Sequence, residues 1–289
     1  MSGPAENPLS YALVTPSFRL DVDRCALLVE SVERWAAPYL QHYLVIDRRD
    51  VPMFKSFESS RTRILVVEDI IPSWLVRIPG VRRFWFSFRT RPVKNWILQQ
   101  IVKLSIPNVV NDDILLYTDS DVFYVAPYDP RAYERDGKVP LFIETGQRGL
   151  IANNDHWHAV AAGLLGIPAE KEYDTNFIGN AICWRRENVL KMQERLHSVA
   201  HKQWERAIAP LSGFSEYILY GLYVTQVLGD ASGHWDDGTV RTLNHWAPVP
   251  MTVPELQEFK AKLTPEYESV MISAKSRTPV ADIRKVFFQ

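Results

Sequence analysis

Two aspartates set two residues apart, Asp119 and Asp121, close the apolar run Ile-Leu-Leu-Tyr-Thr of residues 114–118. At a strand end where the backbone turns, such spacing lets two carboxylates address one ion. Hard oxygen donors suit Mg2+ or Mn2+, which would bridge to phosphate oxygens. An ordinary pair of surface aspartates after a strand is the competing reading. Glu216 sits among Phe214, Tyr217, Ile218 and Leu219. Burial there would raise its carboxyl pKa toward a value useful to a general base. Otherwise it is a helix N-terminal acid favoured by the dipole, with Ser215 or Ser212 as cap. His156 and His158 stand two apart in Asn-Asn-Asp-His-Trp-His, where contact with an acceptor through Trp157 is a stronger expectation than a second metal.

The elements that must position these groups alternate. Residues 11–15 (YALVT) read as a first buried strand. An amphipathic helix capped by Asp21 or Asp23 follows to Trp35, with Leu27, Leu28 and Val32 on one face. Further strands are expected at residues 42–46, 64–67, 114–118, 122–125, 141–144 and 181–184. Helices are expected at 94–105, 187–202 and 214–228, with helix and loop over 153–175. A loop is expected over 229–238, and one charged amphipathic helix in the tail from Pro254. This rhythm predicts an α/β fold with a mostly parallel central sheet flanked by helices. Ligands of such sheets gather at the carboxyl ends of the strands, where Asp119 and Asp121 lie. No repeat or linker divides the chain, so residues 1–289 read as one domain, with 250–289 as a helical appendage.

Bulk properties narrow the function. Lys plus Arg number 33 against 34 for Asp plus Glu, a formal charge of -1, which argues against a nucleic-acid partner. Two cysteines, Cys25 and Cys183, cannot make a disulfide framework and fit a reducing compartment. No signal peptide is visible before Ser10, and no apolar run reaches membrane-spanning length. A cytoplasmic location is expected, with peripheral membrane contact left open and oligomeric state undetermined. Residues 73–91 mix Trp74, Phe84, Trp85, Phe86 and Phe88 with Arg77, Arg82, Arg83, Arg89 and Arg91. They could cover a ligand, meet a phosphorylated or lipid-linked acceptor, or form a solvated basic face.

A hydrophobic strand ending in Asp-x-Asp, in the first half of an α/β chain, resembles the metal motif of GT-A glycosyltransferases. Further positions agree in order. Asn176-Phe-Ile-Gly179-Asn-Ala-Ile-Cys-Trp resembles the glycine-bearing loop and strand beneath the donor sugar. Ser215-Glu216-Tyr217 resembles the acidic motif that carries the catalytic base of inverting members. His245 resembles the histidine that completes the metal or diphosphate site. Lys103, one helix before the metal strand, resembles a basic residue that contacts the donor; at helical spacing it would share a face with Gln99 and Gln100. The resemblance covers residues 10–247. The run Gly213-Phe-Ser-Glu-Tyr-Ile-Leu-Tyr-Gly221 and the helix from Trp96 to Lys103 look like an uncharacterised bacterial glycosyltransferase-like group.

The resemblance implies transfer of a sugar from a nucleoside diphosphate sugar to a hydroxyl acceptor. The metal would be held by Asp121, with Asp119 and His245, and Glu216 would act as base if the reaction inverts. The ends of the first two strands would meet the nucleotide, through Thr15, Ser17 or Arg19 and through Asp47; turn chemistry is the alternative for both. The main rival is a phosphatase of the haloacid-dehalogenase type with Asp119 as nucleophile. Against it, the motif lies more than a hundred residues into the chain and lacks the usual residue at its fifth position. A non-catalytic nucleotide-sugar or glycan-binding protein is a second rival. A nucleotidyltransferase is disfavoured because no Gly-rich, Lys-bearing loop follows the first strand.

Overall fold

The structure, a computed structural model, describes residues 8–78, 80–81 and 84–288. Arg82 and Arg83 of the aromatic, basic stretch lie outside the described residues. Along the chain come β1 (Tyr11–Ser17), α1 (Val22–Trp35), β2 (Gln41–Ile46), the short α2 (Val51–Phe54), β3 (Thr62–Val66), the short α3 (Val67–Ile70), β4 (Phe84–Trp85), β5 (Val93–Lys94), α4 (Asn95–Ser105), β6 (Ile114–Tyr117), β7 (Val122–Tyr124) and β8 (Val139–Phe142). The second half holds α5 (Asn154–Leu165), β9 (Ile182–Arg185), α6 (Arg186–Ala200), α7 (Trp204–Ile208), α8 (Glu216–Leu222), β10 (His234–Asp237), β11 (Thr242–His245), α9 (Val253–Lys260), β12 (Ser269–Ile272) and α10 (Val280–Phe287).

The central sheet runs β3-β2-β1-β6-β9. Its first four strands pair in parallel, and β9 runs antiparallel to β6. The expected α/β architecture with a mostly parallel sheet is therefore present. β1 is buried on both faces, which is why it reads as a continuous apolar run rather than an alternating one. On one face Ala12, Val14, Leu115, Tyr117 and Trp184 pack against α4, α5, α6 and α8. On the other, Leu13, Ile114, Leu116 and Cys183 pack against Leu28 and Val32 of α1.

Two sequence expectations give way to tertiary contacts, and a third, a helix, is present with a change of helical form. The expected loop 229–238 contains β10, which pairs in parallel with β8. Its His234 is buried because Tyr220 Oη lies 2.7 Å from Nε2 and the Val139 carbonyl 3.2 Å from Nδ1. Burial of a polar side chain succeeds only with such partners, and no local pattern reveals them. The helix expected over 214–228 is α8 followed by a π-helical turn at Tyr223–Leu228. The tail is not a purely helical appendage. Its β12 lies between β11 and β7 in a second sheet, parallel to the first and antiparallel to the second. Among the described residues no helix is long and apolar enough to cross a membrane.

Candidate functional site

The carboxyl end of β6 delivers Asp119 to a buried lysine. Helix α4 buries Ile97, Leu98, Ile101 and Leu104, and with them the polar Gln100 and Lys103, while Gln99 stays exposed. Two polar side chains so enclosed must find partners. Gln100 Oε1 accepts from the Glu216 amide at 3.1 Å. Lys103 Nζ lies 3.2 Å from Asp119 Oδ1 and 3.1 Å from Glu216 Oε1, and donates to Tyr217 Oη at 2.8 Å. Burial works against the ammonium, but Asp119, Tyr217 and Glu216 more than offset it and hold its pKa well above the usual lysine range. The strand beneath is fixed to the same helix, because Tyr117 Oη donates to the Lys103 carbonyl at 2.8 Å.

Glu216 opens α8 with Ser215 as N-cap, whose Oγ accepts from the Ile218 amide at 3.5 Å. The cap and the buried acid are therefore both present: the helix start aims Glu216 inward while Ser215 satisfies an end amide. The sequence did not single out Tyr217 as a partner of Lys103, or Gln100 as the residue that pins the turn. The signal available was two polar residues inside an otherwise apolar helical face.

Asp121 is held from the C-terminal tail. Its Oδ2 accepts from the Ala274 amide at 2.8 Å, and its carbonyl accepts from Ile272 at 3.2 Å. Burial first, and then the Asp119 charge, push its carboxyl pKa up, against the pull of the Ala274 amide and Arg24. Asp21 joins this acidic corner. It stands at the N-cap position of α1 yet makes no side-chain capping bond. Burial, with Asp121 and then Asp119 nearby, pushes its pKa up to about 6 against the opposing effect of Arg24. Arg24 is itself tied to the tail, donating to the Ile272 and Thr278 carbonyls at 3.0 and 2.9 Å. Neither Asp21 nor Arg24 stood out in the sequence as a site residue, since each fits an ordinary amphipathic helix start.

His245 lies on β11 in register with Ile272, whose amide also reaches Asp121. Its ring faces elsewhere: Nε2 is 3.3 Å from the Val249 carbonyl, and the ring packs edge-on to Phe259. Among the described residues no three His, Cys, Asp or Glu side chains gather as a metal cluster. The chain itself thus offers a pair of carboxylates, Asp119 and Asp121. That number suits Mg2+ or Mn2+ arriving with phosphates, which needs only one or two protein carboxylates.

The expected nucleotide residues cluster at the ends of β1 and β2, and most already have partners. Thr15 Oγ1 is buried against His42 Nε2 at 3.0 Å; burial pushes the His42 pKa down to about 3, so this ring is neutral. Ser17 is half-buried at the end of β1. The Arg19 amide donates to Asp50 Oδ2 at 3.1 Å, and its half-exposed side chain lies 4.0 Å from the same carboxylate. Asp47 is bound by Arg77 at 2.6 Å and Arg49 at 3.3 Å. Arg77 also lies over the Trp85 ring at 4.4 Å, so it serves this ion pair rather than an open basic face. His156 and His158 do not share a site. Both ride on α5, with His156 exposed and His158 buried against the Asn154 carbonyl and Tyr173.

Gly179 lines a cavity of about 350 Å³ together with Tyr128, Phe142, Glu144, Asn180 and Trp246. A Cβ at Gly179 would stand 3.0 Å from the Phe142 ring, so a larger residue would crowd this wall. The cavity floor includes Leu116 and Cys183, on the sheet face opposite Tyr117 and Lys103. At the strand end Asn180 Nδ2 donates to Asn244 Oδ1 at 2.9 Å, and both residues line the cavity. Ala181 there adopts φ +54°, a left-handed conformation that costs a non-glycine residue about 1–2 kcal/mol. Strain of this kind collects where a backbone must hold a specific shape.

Comparison with known proteins adds the following. Residues 10–249 match the model of DUF6492, described as a family of unknown function. A search of curated proteins finds no match to the sequence. Solved structures similar to this chain include an active-site mutant of LgtC, with TM-score 0.46 and 13% identity over 90% of this chain and 86% of that one. They also include the galactosyltransferase LgtC in complex with donor and acceptor sugar analogues, with TM-score 0.44 and 12% identity over the same shares of each chain.

Proposed function

The chain belongs to the family DUF6492, whose function is unknown, and on the geometry of its site we propose that it is a glycosyltransferase moving a sugar from a nucleoside diphosphate sugar to a hydroxyl acceptor. What carries this reading is one coincidence at the carboxyl end of β6. Asp119 and Asp121 stand there as a carboxylate pair, and Lys103 links Asp119 to the buried Glu216. Diphosphate recognition through a divalent cation needs such a pair, and hydroxyl activation needs a carboxylate within reach of it.

Asp119 and Asp121 would hold Mg2+ or Mn2+, each keeping one oxygen on the protein, Asp119 on Lys103 and Asp121 on the Ala274 amide. Such an ion would supply charge neutralisation for a departing diphosphate. His245 would join the pair by turning from the Val249 carbonyl. Lys103 keeps the corner from becoming too negative to accept a diphosphate, and its ammonium stays charged across the neutral range. Glu216, oriented by Lys103 and by the Gln100–amide bond, takes the acceptor proton if the transfer inverts. The cavity beside Gly179 would take a sugar unit of a substrate remote from the reacting hydroxyl, with Trp246 and Phe142 offering flat apolar surfaces and Asn180 and Glu144 polar ones.

A thermal-shift panel tests this. Uridine, guanosine, adenosine and cytidine diphosphates are each added with and without Mn2+. One diphosphate is expected to stabilise the protein only when Mn2+ is present, by about 2.7 kcal/mol at a hundredfold excess over Kd. Asp121→Asn, which keeps an acceptor for the Ala274 amide, is expected to abolish that shift and leave the unliganded melting unchanged. Stabilisation independent of metal, or undiminished in the variant, would overturn the proposal.

A further inference from the structure

Residues 70–111 contain no Asp or Glu, yet carry Arg77, Arg82, Arg83, Arg89, Arg91, Lys94 and Lys103. Against a whole-chain formal charge of -1, this is a concentrated positive segment. Two of its cations are committed internally, Arg77 to Asp47 and Lys103 to Asp119 and Glu216. Arg89, Arg91 and Lys94 are exposed and make no ion pair among the described residues. All three sit on or beside one hairpin, in which Phe84 pairs with Lys94 and Trp85 with Val93.

The base of the hairpin is anchored. Trp85 and Val93 are fully buried in the main core, and Phe86 exchanges two backbone bonds with Val76 at 2.8 and 2.9 Å. Its tip is the reverse. Phe88 is fully exposed, next to Arg89, and Trp96 at the start of α4 is also exposed. An anchored base thus presents an aromatic ring beside cations that make no ion pair among the described residues. A bilayer interface accepts an aromatic ring at headgroup depth and attracts basic side chains to anionic lipid.

We infer that this hairpin docks the protein on an anionic membrane surface through Phe88, Arg89, Arg91 and Lys94. The inference stands apart from the sugar-transfer reading, but it places the site usefully. Lys103 lies eight residues along α4 from Asn95, about 12 Å at the helical rise. The Asp119 corner would therefore sit close to the bilayer.

Co-sedimentation of the full chain with lipid vesicles tests the inference. Vesicles of phosphatidylcholine alone are compared with vesicles containing about a third phosphatidylglycerol, at low salt and at high salt. Binding is expected to the anionic vesicles only and to weaken at least tenfold at high salt, as screening predicts. Phe88→Ser, and separately the pair Arg89→Glu and Arg91→Glu, are each expected to weaken it at least tenfold with an unchanged thermal midpoint. Absence of binding, equal binding to both vesicles, or variants that bind like the parent would overturn the inference. So would equal retention on polyglutamate, which would mark a general polyanion surface.

Discussion

Lys103 Nζ stands among three oxygens, and they are not energetically alike. Asp119 is partly open to water, so losing its lysine contact costs little. Glu216 is buried and has no such recourse. Lys103→Met should therefore destabilise the fold mainly by stranding Glu216, by about 3–5 kcal/mol. Adding Glu216→Gln should recover most of the loss. Chemical denaturation of both variants checks this, and a double variant no more stable than the single would sink it. Asp21 supplies a pH signature in the metal-free protein. Its pKa is about 6 in the fold and near 3.8 when unfolded. The folded chain therefore binds more protons between about pH 4 and 6, and this group's contribution to stability falls as pH rises through that window. Asp21→Asn should flatten that part of the profile, read as thermal midpoint against pH in a chelating buffer.

At the scale of elements, α8 shows packing overriding local preference. Gly221 lies in its interior, where glycine costs about 1 kcal/mol relative to alanine. A Cβ there would come within 2.2 Å of the Phe177 ring, which lies in the segment leading to β9. Real Cβ atoms do not approach so closely, so the ring or the helix must move. Gly221→Ala should thus destabilise the protein by about 1–3 kcal/mol net of the helical gain. Unfolding by urea measures it; a neutral or stabilising result would mean that Phe177 has room to shift.

At the scale of the molecule, the tail completes both the second sheet and the acidic corner. A chain cut after Val249 would lose β12, the Ala274 amide on Asp121 and the Ile272 and Thr278 carbonyls on Arg24. It would also uncover Leu27 and Phe123, which pack against Val270, Ile272 and Ile283. Such a chain should show no cooperative thermal transition by circular dichroism, whereas a sharp native-like melt would show the tail to be dispensable. The sequence alone determined the parallel strands of the central sheet, because β1 and β6 are apolar runs buried on both faces and β2 and β3 each carry an apolar core, Leu44–Ile46 and Ile64–Val66. It also determined Asp119 and Asp121 as the pair at a strand end, since that position follows from the run before it. Only the tertiary structure decided which groups meet them. Lys103 and Glu216 are 113 residues apart, and Asp121 and Ala274 are 153 apart. Likewise β10 and β12 read as loop and tail because their partners, β8 and β7, are distant in the chain. Local pattern reports how a segment buries its own side chains. It does not report which distant carboxylate, amide or strand will satisfy the polar groups buried with them.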